Sequence, residues 1–551
     1  MKRLSRSLLA LTALFLLPAV APPPLSGDAG MVSSDHELAS LAGAEILRRG
    51  GNAVDAAVAT ALACGVVQPA GSGLGGGGFA LVVAGEERSV LDFREIAPAG
   101  AGPDMYLDAN GQVVPGASVD GGLAVGVPGE AAGLARLMET HGSLSFQQVA
   151  APAVRYAKKG FGAGVHLIHA LERRPEMLVL FDGVSRLPEP GEQLRRKALG
   201  RSIERWAASR GEAFYKGDIA QDIAQSVQAQ GGILELGDLE DYAPVDREVL
   251  VGSYRGYTIL TMPPPSSGGA VLLQVLAVLE AHDLAALGHN SSEHLHLLAE
   301  ASQHAYADRA ALMGDPAFVD VPLEQMLAPE RIAEIQGSIW PTRTLERGAY
   351  GGDYAIPEDA GTQHIAVIDA DGRAVSLTTT INTSFGSKVV AERSGVLLNN
   401  EMDDFVAQPG VPNAFGLIGR EANAVAPGKK PLSSMTPTVV LNDQGEVVMA
   451  VGASGGPLII SSTLQVLSNV IDFGMDPEDA VAAPRMHHQW VPEVLNLEPG
   501  IPADVQRSLE ARGHETKQWE FFSAVQLVVV EEDGTRVAAA DPRKGGRPAA
   551  E

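Results

Sequence analysis

Two segments of the sequence place a hydroxyl where it could attack a carbonyl. One is Gly452-Ala453-Ser454-Gly455-Gly456, a Gly-x-Ser-x-Gly pattern that follows an apolar run at 447–451 and precedes a helical stretch. A serine on a sharp strand-to-helix turn suits an acyl-transferring hydrolase, and His487, His488 or His514 with an intervening Asp could complete its triad. Gly-rich strand-helix turns are also common without any chemistry. The other is Thr362, in Gly361-Thr362-Gln363-His364. If the chain were cut before it, a free α-amine with a pKa of about 8 would stand beside the hydroxyl and could act as its general base, with no His or Asp partner. Gly361, lacking a side chain, leaves the preceding carbonyl open to the threonine hydroxyl, an N-to-O acyl shift that water then resolves. A lone Gly-Thr is commonplace; its weight depends on the segments downstream.

Other reactive-looking groups lead less far. The run Gly71-Ser72-Gly73-Leu74-Gly75-Gly76-Gly77-Gly78-Phe79 invites a phosphate-loop reading, but no Lys-Ser/Thr follows and the run enters a strand instead of opening a helix. Close backbone approach or a substrate-lining loop fits better. His294, His296 and His304 share one helical segment, and the i, i+2 spacing of the first two puts them on different faces. Metal pairs on a helix want i, i+3 or i, i+4, so neither a metal nor a cofactor is expected. The single cysteine, Cys64, excludes an internal disulfide framework and a Cys-based zinc site.

The elements around these groups are mixed. A strand at 30–34 leads to an amphipathic helix at about 36–49, closed by Gly50-Gly51-Asn52, and then to an Ala-rich buried helix at 53–67. A strand at 80–83 follows the glycine run. The middle, about 129–340, reads as mostly helical, with apolar residues at helical spacing in 130–140, 145–158, 203–215, 218–230, 270–281 and 293–312. The stretch 342–361 is polar and Gly-rich and reads as an exposed linker. Beyond it, three hairpins are predicted at 364–379, 438–451 and 525–539, each turning on acidic or Asn-containing residues that end in Gly. Helices at 458–471 and 502–512 lie between the second and third, which suggests antiparallel sheets covered by helices.

Composition narrows the class. The 551 residues include 67 acidic and 41 basic side chains, for a net charge of −26. With no basic run longer than Arg195-Arg196-Lys197, nucleic acid is excluded as a partner. Length alone gives about three to four domains, large single α/β architectures being the exception. Glycine, 62 residues, is above the average share of about 7%, yet it falls in doublets at segment junctions, so the chain is turn-rich and folded. Lys2, Arg3 and Arg6 precede an apolar stretch at 8–17 and then Pro18-Ala19-Val20-Ala21. That is a secretory signal peptide, assigned to 1–26, with an uncleaved anchor as the alternative. The expectation is a periplasmic or secreted protein with no stable membrane anchor. Losing the three cations would take −26 to −29.

Downstream of Thr362 stand Thr378-Thr379-Thr380-Ile381-Asn382, Leu397-Leu398-Asn399-Asn400-Glu401-Met402-Asp403-Asp404-Phe405, Pro431-Leu432-Ser433-Ser434-Met435-Thr436-Pro437 and the Gly455-Gly456 turn. Upstream are Gly50-Gly51-Asn52-Ala53-Val54-Asp55-Ala56-Ala57, the glycine run, Asp92-Phe93-Arg94-Glu95 and Pro264-Pro265-Ser266-Ser267-Gly268-Gly269, and near the end Asp541-Pro542-Arg543. In order and wording these blocks resemble the γ-glutamyltransferase (γ-glutamyl transpeptidase) family of the N-terminal-nucleophile hydrolases, over nearly the whole chain past the leader.

The resemblance implies an α+β fold, a four-layer αββα sandwich of two stacked antiparallel sheets covered by helices. It implies self-cleavage between Gly361 and Thr362 into a large subunit, 27–361, and a small one, 362–551, which together form one domain. Thr362 would be the nucleophile, Thr380 would steady it, and Gly455 and Gly456 would offer N–H groups to the oxyanion. A Gly-Gly turn before Pro457 at a helix start supports that last role independently, because it aims N–H groups and the positive helix end at one point. Arg94, with Ser433 and Ser434, would take the substrate α-carboxylate; Asn382, Glu401 and Asp404 would take its α-ammonium. A pocket for both charges needs a cation and anions placed apart. Without the family, Arg94 reads as a surface pair with Asp92 or Glu95, and Glu401 and Asp404 as a solvated acidic face.

The donor implied is glutathione or a related amide, the acceptor water, an amino acid or a dipeptide. The segment between Asp404 and Pro431 resembles the lid of some bacterial members, with Phe415 where a tyrosine is frequent, so the apolar plug stays and a hydroxyl latch goes. Gln363 departs from the commoner Thr, Ser or Ala. β-Lactam and glutaryl acylases share the scaffold, so a different acyl group is one alternative; a serine hydrolase using Ser454 and a non-enzymatic amino-acid binder are others.

Overall fold

The computed structural model describes residues 23–345, 350, 361–408, 410–519 and 523–551. Most of the signal-peptide stretch and most of the 342–361 linker lie outside the described residues. Among the described residues no helix is long and apolar enough to cross a membrane.

Two seven-stranded sheets carry the fold. One runs, edge to edge, Leu25–Gly27, Arg536–Ala540, Ala524–Val530, Val447–Ser454, Thr438–Leu441, Tyr257–Thr261, Leu250–Tyr254; the other runs Ala549–Ala550, Met31–Ser34, Gly361–Ile368, Ala374–Asn382, Gly77–Ala84, Glu87–Phe93, Val245–Arg247. Every pairing in both is antiparallel. The central strands Gly361–Ile368 and Ala374–Asn382 are buried at every residue because both faces are covered. Ile365 and Val367 belong to the core beneath one helix layer, Ala366 and Ile368 to the core shared with the other sheet.

Face-to-face stacking is close where Gly452 passes His364: a Cβ at 452 would lie 2.3 Å from an imidazole carbon. Polar stitches join the sheets there, with Ser376 Oγ donating to Val451 O and accepting from Thr438 N, both at 3.0 Å. Helices Ala53–Val67 and Glu130–His141 pack on the sheet that holds Thr362, and Gly268–Leu279 and Leu458–Ile471 on the other. Ala53–Val67 is apolar all round because it is buried all round, and Asn52 with Asp55 closes its start as a capping box. The result is the four-layer αββα arrangement that the resemblance implies.

Two expectations are corrected. The helix predicted at 203–215 is two helices, Lys197–Ser209 and Glu212–Tyr215, parted where Arg210 (φ 54) and Gly211 (φ 91) turn left-handed. The stretch read as mostly helical also contains the hairpin Leu250–Tyr254/Tyr257–Thr261, which supplies the edge of one sheet.

Candidate active site

A register shift at the start of the strand sets Gly361 opposite Asn382 and Thr362 opposite Thr380. The carbonyl of Gly361 accepts from both hydroxyls, Thr362 Oγ1 and Thr380 Oγ1, at 2.7 Å each. The two hydroxyl oxygens are 3.1 Å apart, and Asn382 N–H donates to Thr380 Oγ1 at 2.8 Å. A threonine hydroxyl therefore lies against the carbonyl that precedes it, and a second hydroxyl polarises the same carbonyl. Residue 361 has no room for a side chain, since a Cβ would sit 2.6 Å from Thr383 O and 2.8 Å from Ala70 O. The carbonyl of Thr362 itself is held by Lys544 Nζ at 3.0 Å.

Thr362 and Thr380 open onto a narrow pocket lined also by Arg94, Asn382, Glu401, Asp404, Phe415, Ser433, Ser434 and Gly456. The pocket thus brings together every residue that the sequence nominated for the site except Gly455, next in the chain to Gly456, and Gly361, whose carbonyl the two threonine hydroxyls hold. Both glycines have positive φ, 133° and 58°, at the turn into helix Leu458–Ile471. The Phe415 ring closes over that turn: a Cβ on Gly456 would lie 2.8 Å from it.

Arg94 is 1% exposed, which removes the surface-pair reading. Asp92 pairs elsewhere, with Arg247 and Lys430. The Arg94 guanidinium meets Glu401 with one arm and Asp404 with the other, and its Nε donates to Pro431 O at 3.2 Å. Cation and anions are therefore in direct contact, where the sequence led one to expect them apart. Burial alone would depress the Arg94 pKa, but Glu401, Asp404 and Glu95 outweigh it and hold the guanidinium charged. Burial has the opposite effect on the acids. It lifts Glu401 well above the carboxylate range despite Arg94, raises Asp404, and takes Glu95 to about 8.

The sign of that last shift gives a testable pH dependence. Glu95 favours its neutral form in the fold, so its contribution to stability is complete below pH 4.5 and is lost as pH rises through about 8. Glu95→Gln is expected to flatten the fall in Tm between these limits, measured by thermal denaturation across pH; an unchanged slope would remove Glu95 from the account.

Two groups escaped sequence reading. Arg309, buried on helix Ser292–Leu312, donates to Ser267 Oγ at 2.8 Å and to Ser434 Oγ at 3.4 Å, adding a second guanidinium behind the site. Glu95 was seen only as a surface partner of Arg94, whereas it is fully buried. No local signal marked either one, because Glu95 follows Arg94 and Arg309 follows Asp308, so both read as members of solvated charged runs.

Ser454 is fully buried; its hydroxyl donates to Asp35 Oδ2 and accepts from Lys544 Nζ, both at 2.8 Å. The candidate histidines are engaged elsewhere: His487 with Ser461 and Gln489, His488 with the Trp490 N–H, His514 with His296. Ser454→Ala is expected to keep turnover within about tenfold while costing about 1–3 kcal/mol of stability, from the partners left unsatisfied. A loss of turnover by orders of magnitude in a folded variant would restore the serine reading.

Comparison with known proteins decides the family. The model for gamma-glutamyltranspeptidase matches residues 39–551. The chain belongs to the γ-glutamyltranspeptidase family. It is accordingly an enzyme of γ-glutamyltransferase type, an N-terminal-nucleophile hydrolase. Glutathione hydrolase proenzyme of Pseudomonas sp. (strain A14) is 41% identical over 522 residues, covering 92% of this chain and 91% of that one. Glutathione hydrolase proenzyme of Escherichia coli (strain K12) is 40% identical over 530 residues, covering 94% and 91%. Among solved structures, cephalosporin acylase from Bacillus halodurans aligns over 99% of each chain with a TM-score of 0.87 at 28% identity.

Proposed function

We propose that this protein is an exported γ-glutamyltransferase that cleaves itself before Thr362 and then carries the γ-glutamyl group of glutathione, or of a related amide, on Thr362 Oγ1. The observation that carries the reading is the Gly361 carbonyl held between the Thr362 and Thr380 hydroxyls. In maturation, Thr362 Oγ1 adds to the Gly361 carbonyl carbon, the C–N bond breaks as the threonine nitrogen takes up the proton, and water hydrolyses the resulting ester. A carboxylate is left on Gly361 and an α-amine on Thr362. That amine then accepts the Oγ1 proton as the oxygen attacks the γ-carbonyl of the donor, and the proton passes to the departing amine. Water, an amino acid or a dipeptide receives the acyl group. N–H groups of Gly455 and Gly456 stabilise each oxyanion, a donor of this kind being worth about 3 kcal/mol.

Recognition is an exchange of partners. Arg94 bonded to Glu401 and Asp404 is a closed hydrogen-bonded set, and a zwitterion, whose ammonium favours the ionised carboxylates, opens it. The substrate α-carboxylate takes Arg94 with Ser433 and Ser434, while Asn382, Glu401 and Asp404 take the α-ammonium. Phe415 covers the site as a lid without a hydroxyl latch. The names of the relatives, glutathione hydrolase proenzyme, support both the donor and the precursor. Export rests on the basic and apolar leader at 1–26.

The likeness to a cephalosporin acylase favours one second reading, a related acylase of β-lactam or glutaryl type. A denaturing gel with N-terminal sequencing, followed by paired anilide assays, separates the two. The expected result is two bands, the smaller beginning at Thr362, with γ-glutamyl anilide turned over at least about a hundredfold faster than glutaryl anilide, which lacks the α-ammonium. A single uncut chain sinks the mechanism, and a preference for the glutaryl compound sinks the substrate.

A further inference from the structure

Helix Ser292–Leu312 carries His296 and Glu300 one turn apart, both buried. His514 reaches the same spot from the turn that follows helix Ala503–Ala511, and one ligand atom from each of the three falls within 4.8 Å of the others. The spacing rule that discounted His294 with His296 overlooked His296 with Glu300, which is i, i+4 and completes its set with a residue more than two hundred positions away. His296 Nε2 lies 2.8 Å from the backbone carbonyl of Trp340. A carbonyl only accepts, so that nitrogen bears the ring proton and Nδ1 turns its lone pair to His514 Nε2, 2.7 Å away. An imidazole fixed by a backbone carbonyl, with its other nitrogen facing further donors, is the orientation that metal-binding histidines adopt. Glu300 is oriented too, by Gln303 Nε2 at 3.0 Å and by the Tyr350 hydroxyl. Among the described residues both of these side-chain partners are neutral, so neither supplies the positive charge that a buried carboxylate calls for.

We propose that His296, Glu300 and His514 form a binding site for a divalent cation of the zinc class. Two imidazoles and one carboxylate are a donor set suited to such ions, at about 2.1 Å from each. Binding moves the His514 ring proton from Nε2 to Nδ1 and opens the two nitrogens from 2.7 Å to roughly 3.3 Å, the separation that tetrahedral ligands need. A fourth position remains for water or for the Tyr350 hydroxyl. The site is distinct from the Thr362 cavity and does not depend on its chemistry. Its placement gives it a role: His296 and Glu300 precede Gly361 and His514 follows it, so the ion ties together chain on both sides of that bond.

The test uses untagged, metal-stripped protein equilibrated with zinc at a free concentration of about 10 μM. About one zinc per chain is expected by elemental analysis, and Co²⁺ in its place is expected to give the intense visible bands of four-coordinate geometry. Glu300→Gln and His514→Ala should each weaken zinc binding by at least about a hundredfold, and His289→Ala should leave it unchanged. No zinc on the wild-type protein, an octahedral cobalt spectrum, or stoichiometry and affinity unaltered in both ligand variants would overturn the proposal. The wild-type measurements decide it even where a variant fails to fold.

Discussion

Thr362→Ala is expected to leave the protein a single band on a denaturing gel and to lower γ-glutamyl anilide turnover by about four orders of magnitude or more. Both effects have one cause. On the proposed mechanism the same oxygen attacks the Gly361 carbonyl during maturation and the donor carbonyl afterwards, and alanine supplies none. Thr362→Ser provides the internal control, because it restores the hydroxyl without the methyl that fixes its rotamer. Cutting should return, slower, together with part of the activity. Cleavage between 361 and 362 in the alanine variant, or turnover within tenfold of wild type, would end the mechanism. The fold itself should be nearly unaffected, because among the described residues the side-chain bonds lost are those to the Gly361 carbonyl and Thr380.

Arg94→Ala should be the most damaging change at the substrate end of the site. It strands Glu401 and Asp404 beside each other in a buried position, where breaking an ion pair by removing one partner costs about 3–5 kcal/mol. The variant is expected to melt well below wild type and to lose about a thousandfold in kcat/KM, chiefly through KM. Arg94→Lys separates the two losses, since it keeps the charge and gives up the two-armed fork. Most of the Tm should come back while KM stays high. If Arg94→Ala changed stability by less than about 1 kcal/mol, as for an exposed pair, the central place given to this guanidinium would be wrong.

Parts of this molecule could be read from local signals alone. Asn52 with Asp55 three residues on fixes the start of helix Ala53–Val67, and Pro457 after two glycines marks the start of Leu458–Ile471. The three predicted hairpins each end their polar turn in a glycine that takes the left-handed position, Gly372 (φ 82), Gly445 (φ 82) and Gly534 (φ 87). The hairpin Leu250–Thr261 was missed because Arg255 occupies the left-handed position (φ 51) where Asn or Asp would have signalled a turn. At the site, resemblance nominated the residues, but no local pattern could show that Arg94 meets Glu401 and Asp404 directly, over three hundred residues away in sequence. Arg309 was unreadable for the same reason: whether a charge on a helix is solvated or buried is decided by the elements packed against it.

The lacing of the strands has a consequence for how the protein ages. Met31–Ser34 lies between Gly361–Ile368 and Ala549–Ala550, Gly77–Ala84 pairs with Ala374–Asn382, and Tyr257–Thr261 pairs with Thr438–Leu441. Segments from either side of the 361–362 bond are thus interleaved in both sheets. If that bond is cut as proposed, the two polypeptides cannot part without dismantling both sheets. Nor can they easily return, because their meeting then depends on concentration where it had been intramolecular. A cut molecule that unfolds has lost the tether with which it first folded, so its working life is set by the rate of unfolding and not by an equilibrium.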